Sequence, residues 1–284
     1  MSEQNIFNTL NRDYYQFTSA EKKVADYVVS NGGKAKSMSI SELAAASGVA
    51  EATISRFCRR LKYDGYAAFK MAIATSAATR EHSNPLSGEV AEEDSIPELA
   101  EKLAGASVEA ILETKQLLDA AAVEAAAELL VNARQVLCMG QGGSMVMAQE
   151  AAHLFGTIFP GYFPVSGSHM QLIYASQLCQ EDVILYFGYS GTTTGLMDIL
   201  NVTRENGASV ILVTRYPNSP AARQADVVLQ CGSTESPLQL GSVPARMAQI
   251  YLMDVLFSEI CRKDLEGCRQ RRAKVADILS EKYV

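Results

Sequence analysis

Apolar positions recur along this 284-residue chain at two different periods, and the period changes partway. Over the first eighty residues the spacing is helical. Val24, Tyr27 and Val28 fall on one face after Ser19, a residue able to cap, and predict a helix over 19–29 that Asn31-Gly32-Gly33 closes. A second short helix is predicted over Ser39–Ala46 and a third over Ala50–Leu61, with Ser47-Gly48-Val49 as a tight turn between them. Leu43, Ala44, Val49, Ile54, Phe57 and Leu61 supply an apolar set that locks two helices across a glycine-containing turn. The pattern is helix-turn-helix. Glu51, Ala52, Thr53, Ser55, Arg56 and Arg59 are left on faces free to meet a partner.

Beyond residue 95 two long amphipathic stretches, Ile96–Asp119 and Val123–Val131, are expected to pack on the second domain or on its dimer mate. Short apolar runs at 135–139, 162–165, 183–187, 210–214 and 226–230 then alternate with helical stretches, the pattern of a parallel sheet covered by helices. Met247–Glu259 and Gly267–Lys282 read as terminal helices, the second carrying a basic cluster at Arg269, Arg271 and Arg272 that reads as surface or interface charge. Residues 81–95 combine Pro85, Gly88 and the acidic run Glu92-Glu93-Asp94, a linker composition. The expected organisation is an all-α domain over 1–80, a linker over 81–95, and a three-layer α/β domain over 96–284.

Two of the predicted strands end in glycine-rich turns that open helices. Gly140-Gln141-Gly142-Gly143-Ser144 follows the run at 135–139, and Gly188-Tyr189-Ser190-Gly191-Thr192-Thr193 follows the run at 183–187. Glycine lets the backbone turn sharply, while hydroxyls and unpaired amides at a helix N-terminus converge on one space, which suits a phosphate without lysine or arginine. Gly142, Ser144, Ser190, Gly191, Thr192 and Thr193 are therefore candidate ligand residues. Well-capped strand-to-helix turns would look similar one at a time; two in one domain point to a sugar-phosphate pocket.

Composition narrows the class. With 48% hydrophobic and 20% charged residues the chain has the balance of a globular protein. No apolar stretch approaches the roughly 18 residues of a membrane span, so no membrane role is expected. Met1-Ser2-Glu3-Gln4-Asn5-Ile6 lacks a basic and apolar leader, and the six scattered cysteines form no C-x-x-C pair, so a reducing, cytoplasmic setting is expected. The net charge of −7 hides an asymmetry: the first eighty residues hold 11 Lys/Arg against 7 Asp/Glu, and the remainder 14 against 25. A locally basic segment on an acidic body can bind DNA. Thr53 and Ser55 on the third helix suit base edges, Arg56, Arg59 and Arg60 suit phosphates, Glu51 lies on the same face, and Lys22, Lys23, Lys62 and Lys70 are candidate backbone clamps. His82 and His153 form no triad or metal set with their neighbours, and neither cofactor nor metal is expected.

The stretches FTSAEKKVADYVV and SISELAAASGVAEATISRFCRRLKYDGYAAFK, over residues 14–78, resemble the DNA-binding domain of the RpiR/MurR family of bacterial transcriptional regulators. Ala50 departs from the serine common there, which weakens the recognition-helix cap. The C-terminal part resembles the sugar-isomerase (SIS) domain, with G-x-G-x-S at Gly140, Gly142 and Ser144 and an S-x-S-G-x-T-like stretch at 188–193. Gly188 replaces its first serine, and Gly195 stands where a glutamate is usual, so the general base of an isomerase is missing at that position. The resemblance further implies pocket roles for His169 and Glu235, a homodimer formed through the SIS domain with tetramers left open, operator DNA as partner, and a phosphorylated sugar as effector. The expected activity is effector-controlled transcriptional regulation rather than catalysis. A phosphosugar isomerase with a helical appendage, and a sugar-phosphate-binding accessory protein, are the alternatives.

Overall fold

The computed structural model describes residues 6–83, 92–232 and 243–280. The chain separates into two compact units, one extending through Glu109 and one from Ala110 onward.

The first unit begins with six helices: α1 (Ile6–Asp13), α2 (Ser19–Ser30), α3 (Gly32–Ala35), α4 (Ile40–Ser47), α5 (Glu51–Arg60) and α6 (Tyr66–Ser83). Each terminus has an identifiable cause. Thr18 and Glu21 form a reciprocal capping box at the start of α2, and Ser39 and Glu42 form another at α4. Gly48 adopts the left-handed conformation (φ 63°, ψ 42°) and ends α4, the turn the Ser47-Gly48-Val49 stretch predicts. Ala50 starts α5 without a side-chain cap. A shared core of Phe7, Leu10, Phe17, Val24, Val28, Leu43, Ile54, Phe57, Phe69 and Ile73 holds the helices together. Phe57 stands edge-on to both Phe17 and Phe69, with ring centroids 4.9 and 6.0 Å away. Asn31 ends α2 as expected, but the chain then coils at once into the single turn α3; α1 and α6 are also absent from the sequence reading.

The expected linker is partly helical. α6 extends through Ser83, and residues 84–91 lie outside the described residues. The acidic run ends in structure: Asp94 pairs with Lys102 at 2.6 Å, and Glu98 accepts from the Ser95 amide and hydroxyl at the start of α7 (Ile96–Leu117). The division between units falls inside α7, where buried Ala110 and Thr114 replace the exposed apolar positions Leu103 and Val108. Asp119 explains why α7 stops short of it. Its carboxylate accepts from the amides of Ala121 and Ala122 and caps α8 (Ala120–Asn132).

The second unit is built on five parallel strands: β1 (Gln135–Gly140), β2 (Tyr162–Pro164), β3 (Asp182–Phe187), β4 (Ser209–Thr214) and β5 (Val227–Gln230), in the order β2-β1-β3-β4-β5. Between and after them lie α9 (Gly143–Gly156), α10 (Ser168–Ala175), α11 (Thr194–Asn206), α12 (Val243–Lys263) and α13 (Leu265–Ser280). Alternate strand residues face opposite layers. Val136, Cys138, Leu185, Phe187 and Val213 pack with α8, α9 and α12 residues such as Ala127, Ala151, Phe155 and Leu256. Leu137, Met139, Ile184, Tyr186 and Leu212 pack with Ala175, Leu196 and Ile199 from α10 and α11. Burial on both faces is why the strands read as continuous apolar runs. The three-layer α/β architecture and all five strand positions agree with the sequence reading.

Candidate functional site

The candidate recognition element is α5. Ile54, Phe57 and Cys58 are buried beneath it, while Glu51, Arg56 and Arg59 are exposed and Thr53 and Ser55 half-buried. The periodicity assigned to these residues is thus the observed one, and it leaves a polar face with two arginines. Lys23 and Lys62 are exposed as well. Lys62 is held at φ 64°, directly after the helix, where Tyr63 donates to the Cys58 carbonyl at 2.9 Å in a Schellman-type closure.

Three of the expected DNA contacts are engaged within the domain. Arg60 does not extend outward with Arg56 and Arg59: its Nη1 lies 2.7 Å from Glu21 Oε2, its Nη2 donates to the Gln16 carbonyl, and the guanidinium lies 5.5 Å from the centre of the Phe17 ring. Its position near the end of α5 turns it back toward α2, so it serves as a strut. Lys22 lies over the Tyr14 and Tyr15 rings at 5.3 and 5.4 Å, and Lys70 donates to the Ser37 carbonyl at 3.0 Å. Sequence spacing assigned all three to DNA because the partners that hold them are not neighbours in the chain.

In the second unit the two glycine-rich turns follow β1 and β3, which pair directly with Gly140 opposite Phe187. The connection from β1 through α9 leads to β2 on one side, and the connection from β3 through α11 leads to β4 on the other. The turns therefore flank the point where strand order reverses, the place at which open α/β sheets form a crevice beyond the carboxyl ends of their strands. Gly142 (φ 55°) starts α9, Gly167 starts α10 and Thr193 starts α11, and none of the three helices has a side-chain cap. Side-chain caps are thus absent at all three starts, although in α9 the Ser144 and Met145 amides already donate to the Gln141 and Gly142 carbonyls, both at 3.1 Å.

The second turn is firmly set. Gly188 donates to the Val213 carbonyl at 2.9 Å, Arg215 donates through its amide to Tyr189 at 3.1 Å, and Ala221 donates to Gly191 at 3.2 Å. Gly191 is at φ +62°, and a Cβ there would lie 2.0 Å from Ser219 Oγ, so no other residue fits. Thr192 and Thr193 are exposed, and the Thr192 hydroxyl lies 3.0 Å from that of Ser190. In the first turn, a Cβ at Gly140 would lie 2.6 Å from the Ser144 carbonyl, a close approach of strand end to helix that requires glycine. Ser144 sits half-buried in the first turn of α9. The structure thus brings Gly142 and Ser144 to one side of the crevice and Ser190, Gly191, Thr192 and Thr193 to the other. His169 is exposed in the first turn of α10. Glu235 lies outside the described residues.

Sequence reading missed three residues here. Gln171 is fully buried and donates to the carbonyls of Gly140 and Val165, both at 2.8 Å, tying α10 to the end of β1. Arg215, also buried, pairs with Glu113 of α7 at 2.6 Å immediately beyond β4. Gln141 belongs to the first turn, and its side chain lies against Gly195 of α11. Among the described residues no group of three or more His, Cys, Asp or Glu is arranged to hold a metal ion, and no helix is long and apolar enough to cross a membrane.

Comparison with known proteins gives these two sites a context. Residues 4–80 match the helix-turn-helix domain of the rpiR family, and residues 129–259 match the SIS domain. An uncharacterized HTH-type transcriptional regulator of Caldanaerobacter subterraneus subsp. tengcongensis is 31% identical, covering 94% of this chain and 94% of its own length. The HTH-type transcriptional regulator HexR of Pseudomonas aeruginosa is 30% identical, covering 89% of this chain and 88% of its own. Among solved structures, the Vibrio vulnificus NanR protein complexed with ManNAc-6P superposes with a TM-score of 0.63 at 21% identity, over 98% of this chain and 99% of that one. The sugar isomerase domain of the RpiR transcription factor from Sphaerobacter thermophilus gives 0.57 at 21% identity, over 63% of this chain and 98% of that one. The chain belongs to the rpiR family of HTH-type transcriptional regulators, with a helix-turn-helix domain followed by a SIS domain.

Proposed function

We propose that this regulator binds operator DNA through the exposed face of α5 and that a phosphorylated sugar, held between the turns at 140–144 and 188–193, controls that binding. The observation that carries the effector half is the convergence of two glycine-rich turns and uncapped helix N-termini at the strand-order switch. Phosphate oxygens would take the amides and the hydroxyls of Ser144, Ser190, Thr192 and Thr193, with His169 toward the sugar. NanR, similar over nearly the whole chain, is a protein complexed with a sugar phosphate, which favours the same ligand class here.

Sensing rather than conversion is the better reading. The relatives that match over nearly all of this chain are named transcriptional regulators, and Gly195 offers no carboxylate in the first turn of α11. A homodimer in the cytoplasm fits the DNA half: one small domain making a few phosphate contacts binds weakly, whereas two on a palindrome gain effective concentration.

Selection of genomic fragments on the purified protein at near-physiological salt, followed by titration of the best fragment with a panel of sugar phosphates, tests the proposal. The expected result is a shared palindrome whose affinity changes with one sugar phosphate. Retention of all fragments alike, lost steeply with salt, would reduce the interaction to nonspecific electrostatics and contradict it.

A further inference from the structure

Gln141 is placed for a role that neither the strand nor the helix it joins requires. It sits between Gly140, which closes β1, and Gly142, which starts α9, and its carbonyl accepts from the Ser144 amide at 3.1 Å. Its side chain leaves this first turn and reaches the helix that follows the second. A Cβ built on Gly195, in the first turn of α11, would lie 2.2 Å from Gln141 Nε2. Glycine at 195 therefore leaves the space that the Gln141 amide fills, and the amide spans the crevice between the two turns. Among the described residues that amide has no hydrogen-bond partner, and it is only half-buried. Gln171, thirty residues on, is the contrast: it is fully buried with both of its donor contacts made to carbonyls.

An unpaired primary amide at the mouth of an anion-binding crevice is suited to one kind of contact. It carries no charge, so it neither repels a phosphate as a carboxylate would nor attracts every anion as an ammonium would. It has two donors and an acceptor, which match a hydroxyl that both gives and takes a hydrogen bond. The turn amides and hydroxyls already answer the phosphate. The adjoining carbon chain of a sugar phosphate is what remains to be read.

We propose that Gln141 is the specificity-determining residue of the effector site, reading a hydroxyl or amide substituent of the sugar next to the phosphate, and that Gly195 exists to give it room. This rests on the reading of the crevice as a sugar-phosphate site. It separates two jobs: the turns bind phosphate and Gln141 chooses the sugar.

Isothermal titration of the full-length protein tests it, with glucose 6-phosphate, glucosamine 6-phosphate, N-acetylmannosamine 6-phosphate and inorganic phosphate as probes. Four proteins are compared: wild type, Gln141→Ala, Gly195→Ala and the double variant. Alanine is the better helix former, so Gly195→Ala displaces the amide without weakening α11, and thermal melting verifies that each variant folds. Each single variant is expected to lose about tenfold in affinity for the sugar phosphate that wild type prefers, the scale of one or two hydrogen bonds, while inorganic phosphate binds as before. Gly195→Ala should cost nothing more once Gln141 is alanine, because nothing is left to displace. If wild type discriminates among the sugar phosphates and Gln141→Ala keeps both affinity and preference, the specificity role is overturned while the effector site stands. If wild type binds none of the sugar phosphates, the reading of the crevice falls, and this proposal with it.

Discussion

The Arg60 guanidinium lies 2.7 Å from the Glu21 carboxylate, and the same carboxylate oxygen accepts from the Thr18 amide that caps α2. One acid thus closes a helix terminus and ties the recognition helix to its neighbour. Arg59, its neighbour in sequence, is exposed on the polar face of the same helix.

That difference is measurable. Arg60→Ala should lower the unfolding free energy of the first domain by about 1 kcal/mol, the modest figure for a pair whose arginine is partly exposed and screened. Arg59→Ala should leave stability within about 0.5 kcal/mol and instead weaken operator binding, reducing the slope of log affinity against log salt by about 1 for a lost phosphate contact. Urea unfolding and salt-dependent DNA titrations on both variants check the pair. Equal stabilities with equal DNA losses would contradict the assignment of Arg60 as a strut.

Lys62 is the one described non-glycine residue with positive φ, at 64°. Left-handed backbone costs an L-residue about 1 kcal/mol, which glycine avoids. Lys62→Gly should therefore raise the melting temperature of the first domain, an unusual direction for a glycine substitution, and the magnitude is set against glycine's larger unfolded-state entropy. If Lys62 also clamps DNA, the same variant binds operator more weakly despite being more stable. Melting and DNA titration separate the two effects.

Much of this was legible in the residues themselves. The helix-turn-helix could be read because its signals are local: Gly48 at the turn and apolar positions that repeat within a dozen residues; the cap of α2 lay one residue off, Thr18 rather than the expected Ser19. The strands could be read because burial on two faces forces continuous apolar runs, and glycines mark where two of them end. α6 was missed because it is alanine-rich and its core stripe of Phe69, Ile73 and Ala77 is easily taken for background; their four-residue spacing was the available signal. Arg60, Gln171 and Arg215 were out of reach for another reason. Their roles depend on Glu21, Gly140 and Glu113, which are 39, 31 and 102 residues distant, and nothing local distinguishes a guanidinium with a buried partner from one without.

The pair between Glu113 and Arg215 should be the most sensitive ionic contact of the second unit. Arg215 is almost fully buried, and the Glu113 side chain is 14% exposed. Removing one partner strands the other's charge in low dielectric, which costs about 3 kcal/mol or more, whereas replacing both by apolar residues of similar volume is often far milder. Glu113→Ala is accordingly expected to destabilise strongly, and Glu113→Leu combined with Arg215→Met to recover much of the loss. Chemical denaturation of the three proteins tests this. Additive losses would mean that the pair is not coupled.

Asp182 gives the second unit an acid limit. Burial by itself would raise its pKa, but the Arg134 guanidinium, donating to both carboxylate oxygens at 2.9 and 2.7 Å, and the Cys179 amide hold it below the usual carboxylate range. A carboxylate depressed in the folded state contributes stability that is fully present above its unfolded pKa and is lost as pH falls through the folded one. Stability of the second unit should therefore decline below about pH 4. Asp182→Asn should flatten that decline while lowering stability at neutral pH. A pH series of denaturation midpoints for both proteins reads the difference.

The most direct test of sugar-phosphate control is reciprocity. Whatever factor the effector changes in operator affinity, operator must change in effector affinity, with a coupling typically of about 1–3 kcal/mol. Operator affinity is measured by anisotropy with and without saturating effector, and effector affinity by titration calorimetry with and without saturating operator. Matching factors of about 5 to 150 are expected in the two directions. Operator affinity unchanged by saturating effector, with effector affinity unchanged by operator, would contradict the control of DNA binding by a ligand at the SIS-domain crevice.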